Sequence, residues 1–192
     1  MKRKTFLSFL GLTLMSRAYP ASNSLSAVEP ENYLFKDDGQ IPNSKFPLLL
    51  YKNVFGQRGD EGAEWLEKQF ANNNWTNSWR NGVYSFHHYH STSHEVLGVY
   101  SGSAVLHLGG EQGQKVKVTA GDIIVIPAGV GHKNLGSDGL GIVGAYPDGR
   151  SWDVNRGLPG ERPQTDKNIA ALPVPVRDPL QGAEGGLIKI WR

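Results

Sequence analysis

The chain contains no cysteine. That excludes disulfide staples, thiolate nucleophiles and structural zinc held by four thiolates, and it lets the chain enter an oxidising compartment without mispaired bridges. A strong excess of charge is also missing. Twenty Lys and Arg against 18 Asp and Glu leave a formal net charge of +2. No run of basic residues forms a stripe, so nucleic acid is not an expected partner. Beyond about residue 28 there is no long linker, internal repeat or low-complexity segment.

What is abundant is glycine, 24 residues, together with 11 prolines, all scattered through 192 residues. Many turn-forming residues between short apolar runs predict an all-β fold. A chain of this length can bury the core of one ordinary domain without covalent staples.

The N-terminus reads differently from the rest. Lys2, Arg3 and Lys4 precede an apolar run over residues 6–15. A basic head followed by a short apolar segment predicts a signal peptide over residues 1–27, cleaved between Ala21 and Ala27. The run is too short for a stable membrane span, so no anchor is expected after cleavage. Arg3-Lys4-Thr5-Phe6-Leu7 resembles a twin-arginine export motif with Lys in the second position. The expected location is therefore secreted or periplasmic, with residues 28–192 forming a single domain.

One helix is predicted, over residues 62–72: Ala63, Leu66 and Phe70 share a face and Glu64, Glu67 and Lys68 lie outside it. Asp60 is the candidate cap. Short strands are predicted at 48–51, 83–89, 96–100, 104–108, 115–118, 123–126, 140–146 and 187–191, separated by tight turns. Strands at this spacing argue for a sandwich or barrel. Residues 147–186 read as a long wrapping loop. Trp65, Trp75 and Trp79 are expected to pack between helix and barrel.

Four of the six histidines lie between Phe86 and Glu95. Residues two apart on a strand share a face, so His88 and His90 project together while His87 points away. Two imidazoles side by side inside a barrel are costly unless something uses their lone pairs, and a divalent cation does. Glu95 adds a carboxylate, with the adjacent His94 as its competitor for that place, and His132 follows a Pro-x-Gly turn. His87 is expected on an outer face and His107 as a satisfied structural histidine. Arg80, Tyr84 and Tyr146 are candidates to line the mouth. Arg80 reads either as a bidentate grip for a substrate carboxylate or as a surface arginine.

These residues resemble a known pattern. Gly82, five residues, His88-Tyr89-His90, four residues, Glu95, six residues and Gly102 match the first cupin motif at every fixed position. With Gly near 7% and His about 2%, chance agreement is on the order of 10⁻⁷ per starting position. Gly121, five residues, Pro127-Ala128-Gly129, two residues and His132 match the second motif, although Gly136 stands where Asn is usual. The resemblance is strong over residues 80–150. It implies a double-stranded β-helix, a jelly-roll barrel, with one short N-terminal helix. It also implies a single metal held by His88, His90, Glu95 and His132. Mixed N/O donors suit Mn, Fe, Ni, Co or Zn. The expectation is one divalent transition-metal ion per chain, in a metalloenzyme of oxygenase, isomerase or decarboxylase type acting on a small organic molecule. A non-catalytic cupin binding a sugar or organic acid is the alternative. A homodimer is expected, because barrels of this size pair through sheet edges.

Overall fold

The computed structural model describes residues 28–192, so the expected signal segment lies outside the described residues. Seven strands form one antiparallel sheet, β1 (Glu31–Tyr33), β2 (Leu48–Tyr51), β3 (Trp75–Asn81), β4 (Glu95–Leu108), β5 (Gln114–Thr119), β6 (Ile123–Ile126) and β7 (His132–Pro147). Their order is β1-β2-β6-β4-β7-β3, with β5 paired to β4. Among the described residues there are also three helices, α1 (Gly59–Asn72), α2 (Gln164–Ala171) and α3 (Gly186–Ile190). The architecture is the mostly-β jelly roll that the strand spacing and motifs predict.

Strict alternation builds two cores on opposite faces of this sheet. On β6, Ile123 and Val125 face a core shared with α1, while Ile124 and Ile126 face the barrel interior. On β2, Leu49 and Tyr51 join the first core and Leu48 and Leu50 the second. On β4, Val96 faces α1 and Leu97 and Val99 face the interior. Glu95 has the parity of Leu97, so the same alternation that buries apolar side chains carries one carboxylate inside the barrel.

Several local expectations change. Residues 96–100 and 104–108 are one long strand, β4, with register shifts between Val99 and Ser103. The 83–89 strand is absent; β3 lies earlier, and His88 and Tyr89 make only isolated bridges to His132 and Asn155. The 140–146 strand begins eight residues sooner, at His132. Asp60 does not cap α1: Arg58 occupies that position without a side-chain bond, and Asp60 and Glu61 sit in the first turn, where the helix dipole favours acid. Residues 187–190 are helical, not extended, and Trp191 follows as the C-cap. Leu187 and Trp191 are both buried one helical turn apart, and the Trp191 amide bonds the Leu187 carbonyl at 2.9 Å. A five-residue apolar run is too short for its periodicity to separate the two states. The 147–186 stretch does wrap the barrel, but it contains α2.

Helix α1 and strand β4 meet closely at Leu66 and Gly98. A Cβ built on Gly98 would lie 2.4 Å from a methyl of the fully buried Leu66. Leu66→Ala should cost about 2–5 kcal/mol and Gly98→Ala about 1–3 kcal/mol. In urea unfolding, the double variant should cost clearly less than the sum, because the smaller side chain makes room for the added methyl. Strict additivity would show that the two residues do not meet.

Candidate metal centre

Three segments converge inside the barrel. His88 and His132 sit opposite each other in an antiparallel bridge, with backbone bonds of 3.2 Å and 2.9 Å between their amides and carbonyls. His90 is held by the turn at Pro127-Ala128-Gly129, whose Gly129 amide donates to the His90 carbonyl at 2.8 Å. Gly129 has φ +91°, and a Cβ there would meet the Asn43 carbonyl oxygen at 2.2 Å, so the motif glycine is required. Glu95 opens β4. All four side chains are buried, between 1% and 4% exposed.

Each imidazole is oriented from behind. Nδ1 of His88 faces the Phe86 carbonyl at 3.4 Å, Nδ1 of His132 faces the Val130 carbonyl at 3.1 Å, and Nδ1 of His90 faces the Asp153 carbonyl. A carbonyl accepts only, so the proton belongs on Nδ1 and the lone pair on Nε2. The three imidazoles come together as a group, with one donor atom from each and all within 4.8 Å of one another.

Glu95 completes the convergence. Its Oε1 accepts the Tyr146 hydroxyl at 3.0 Å, and that hydroxyl in turn accepts the Trp79 Nε1–H at 2.8 Å. Its Oε2 is buried and has no hydrogen-bond donor, although Nε2 of His90 and Nε2 of His132 both lie 3.4 Å away. Two donors each about 2.1 Å from one ion stand about 3.4 Å apart at a tetrahedral angle and about 3.0 Å at a right angle. The spacing of Glu95 from His90 and from His132 is that of donor pairs on a small divalent ion, beside the group of three imidazoles.

The electrostatics agree with that fit. Burial, with His132 and His90 alongside, pushes the His88 pKa down to about 2, so its ring stays neutral. Burial works to raise Glu95, but the attraction of His90 and His132 holds its carboxyl below the usual carboxylate range. Burial works against protonating His90, yet Glu95 beside it and the Asp153 carbonyl raise its pKa. Burial, then the neighbouring Glu95 charge, drive the Tyr146 phenol upward, so it remains a donor.

His94 does not compete. Opposite parity turns it to the other side of β4, where Nδ1 accepts the Ala128 amide at 2.9 Å and the ring packs 5.0 Å from Trp191. Arg80, Tyr84 and Tyr146 do line the cavity over the site, a space of about 450 Å³. The carboxylate-grip reading of Arg80 is corrected, because Glu67 already takes its fork at 2.7 Å and 2.8 Å. Trp65 and Trp75 pack as expected, against Phe55 and within the helix–sheet core. Trp79 instead lines the cavity. Sequence reasoning missed Trp152, which stacks 5.7 Å from Tyr146 and sits 5.4 Å from His90. It also missed Asp153, whose carboxylate accepts the Ser91 amide at 2.6 Å and the Ser91 hydroxyl at 2.5 Å. Both lie in the Pro- and Gly-rich stretch, where no periodicity marks an inward residue.

Comparison with known proteins agrees with this geometry. The family described as "Cupin domain" matches residues 80–139. The chain is 41% identical over 165 residues to the uncharacterized protein YjlB of Bacillus subtilis, covering 85% of this chain and 97% of that one. The chain belongs to the cupin superfamily. Among solved structures, it resembles an acireductone dioxygenase from Bacillus anthracis with a cadmium ion in its active centre, at 17% identity and TM-score 0.35, over 47% of this chain and 61% of the other. It also resembles an oxalate decarboxylase of Bacillus subtilis with Mn(II) centres, at 18% identity and TM-score 0.34, over 59% of this chain and 28% of that one. At those scores neither likeness carries an argument about this cupin's chemistry.

Tyr146 and Trp79 orient Glu95 as outer partners. Removing such a partner typically costs 10- to 100-fold in metal affinity. Tyr146→Phe should therefore raise the dissociation constant for zinc by about that factor in isothermal titration, while leaving the far-UV circular dichroism unchanged. An unaltered affinity would remove Tyr146 from the site's support.

Proposed function

We propose that this cupin is a metalloenzyme that binds one divalent transition-metal ion through His88, His90, Glu95 and His132 and acts on a small organic molecule in the cavity above. The observation that carries the reading is the buried, donorless Oε2 of Glu95 facing the Nε2 lone pairs of His90 and His132. An acceptor left in that position is costly unless a cation or proton occupies the space between. Three imidazoles and one carboxylate suit Mn, Fe, Ni, Co or Zn. When bound, the ion supplies a Lewis acid with open positions for substrate.

The residues around it narrow the chemistry. Among the described residues lining the cavity, no carboxylate or imidazole stands apart from the four donors, so a base-driven isomerisation lacks its base. Trp79, Tyr84 and Trp152 give aromatic walls that exclude water and hold a planar or sugar-like ligand. Arg80, the one cation among them, is held by Glu67, so a neutral or metal-chelating ligand suits the cavity better than a polyanion. Oxygenase chemistry, which needs no separate protein base, is the favoured class. The same lack of a second acid or base supports non-catalytic ligand binding as the second reading. Oxygen uptake against small phenols, sugars and organic acids, with each metal in turn, separates the two; binding without turnover would favour the second. We further propose export through residues 1–27 and assembly as a homodimer, checked by intact mass of a periplasmic fraction and by sedimentation.

Purified protein should carry close to one ion per chain that responds to His132. His132→Ala, His88→Ala and His90→Ala should each lose most of it, and Glu95→Ala should weaken it. Free metal about a hundredfold above its dissociation constant should add about 2.7 kcal/mol of stability, so a chelator should lower the Tm. No ion by elemental analysis and no thermal shift with any of the five metals would sink the proposal.

A proton competes for the same space. In the metal-free protein His90 holds it up to a pKa above the ordinary imidazole value, because Glu95 attracts it there. Metal affinity should be full above that raised pKa and fall as pH drops through it, by about tenfold per pH unit for one displaced proton. Zinc titrations from pH 8 to pH 5 test this; a flat affinity over that range would contradict it.

A further inference from the structure

The face of the 87–90 segment turned away from the barrel interior carries a second convergence of donors. His87, expected on an outer face, is not a free surface side chain. Its ring lies against the ring of His107 on β4, with centroids 4.9 Å apart and planes tilted by 55°. Its Nε2 is 3.5 Å from Oε1 of Glu111, which stands in the turn between β4 and β5. One donor atom from each of the three residues falls within 4.8 Å of the other two. The His87 side chain is nine-tenths buried, and neither ring nitrogen has a hydrogen-bond partner. His107 is 5% exposed. His107 is buried, as expected of a structural histidine, and the ring beside it is another imidazole. A neutral imidazole always has one N–H to place and one lone pair to satisfy, so a buried ring with neither satisfied is a costly arrangement.

A way in exists. A cavity of about 210 Å³ opens beside the pair, lined by His87, Glu111, Asp38 and Gln40 among others. Glu111 is exposed, so its carboxylate can swing toward the two rings. In the metal-free protein it is held by Lys133, whose Nζ lies 2.5 Å from Oε1.

We propose that His87, His107 and Glu111 form a second metal site, for a borderline divalent ion of the zinc, nickel or copper(II) class. Two imidazoles and one carboxylate are the donor set those ions select over magnesium or calcium. Three protein donors leave the remaining positions to water from the adjoining cavity. Lys133 competes with the ion for Glu111, so this site is the weaker of the two and fills only at higher free metal. It shares no donor with the interior site, and its occupancy does not depend on the function proposed there.

Zinc equilibrium dialysis on the full-length protein tests it, with variants assigning each ion. Wild type should take up two zinc ions per chain. The weaker ion should be lost in His107→Gln and in His87→Gln, and retained in His132→Ala. Glu111→Gln, a change at an exposed position that preserves folding, should weaken it at least about tenfold. Lys133→Met should strengthen it severalfold, a response that a chance surface contact elsewhere would not give. Cobalt(II) visible absorption gives a second readout of the same ion. One zinc that tracks His132 alone would overturn the proposal. So would a second zinc whose affinity ignores His107, Glu111 and Lys133.

Discussion

Everything at the interior site depends on one constraint: a carboxylate oxygen buried without a donor, opposite imidazole lone pairs that backbone carbonyls hold in place. A carboxylate in that environment is expensive on its own. The fold nevertheless invests in it from several directions. Tyr146 and Trp79 fix Oε1, and three separate carbonyls fix the Nδ1 protons that leave Nε2 free. The arrangement makes physical sense as a preorganised cage suited to a positive charge.

The same constraint explains why the wrapping segment matters. Asp153 contributes twice: its carbonyl orients His90, and its carboxylate gathers the Ser91 and Thr92 amides. Asn155 exchanges two backbone bonds with Tyr89, at 2.9 Å and 3.0 Å. Residues 87–92 lie in no long strand, so their alternation is imposed from outside, by His132 on one side and residues 153–155 on the other. That segment also brings Trp152 over the cavity. A stretch rich in Pro and Gly thus sets the position of His90 and of one wall.

What the sequence made legible follows the physics of repetition. The apolar runs located the strands β2 and β6, and the motif spacings picked out His88, His90, Glu95 and His132, which the structure brings together; the two separate cores emerge only in the structure. The motif spacing favours Glu95 over His94, and the structure turns the His94 ring away, toward the Ala128 amide and Trp191. Illegible were features decided by long-range contact. Trp79 reads as a packing residue until Tyr146 is known to lie beside it. Arg80 reads as a free cation until Glu67, 13 residues earlier on α1, is seen to hold it. The C-terminal apolar run reads equally well as strand or helix, and burial of both Leu187 and Trp191 against the α1 core decides for helix.

His87 and His107 show the limit of parity most plainly. Alternation says which face a residue leaves by, and it was right that His87 leaves by the outer one. It says nothing about what that face meets. Here the outer face of the 87–90 segment meets the outer half of β4 near its turn, where His107 and Glu111 already stand. A single chain layer can therefore present donors on both sides, with consecutive histidines, His87 and His88, directed to different clusters. The interior cluster is shielded by the aromatic mouth, and the outer one opens on a small cavity shared with Asp38 and Arg156. Two sites so arranged would differ in affinity for a physical reason. The interior donors are oriented by backbone carbonyls and face no ammonium among the described residues lining their cavity, whereas the outer carboxylate must first leave Lys133.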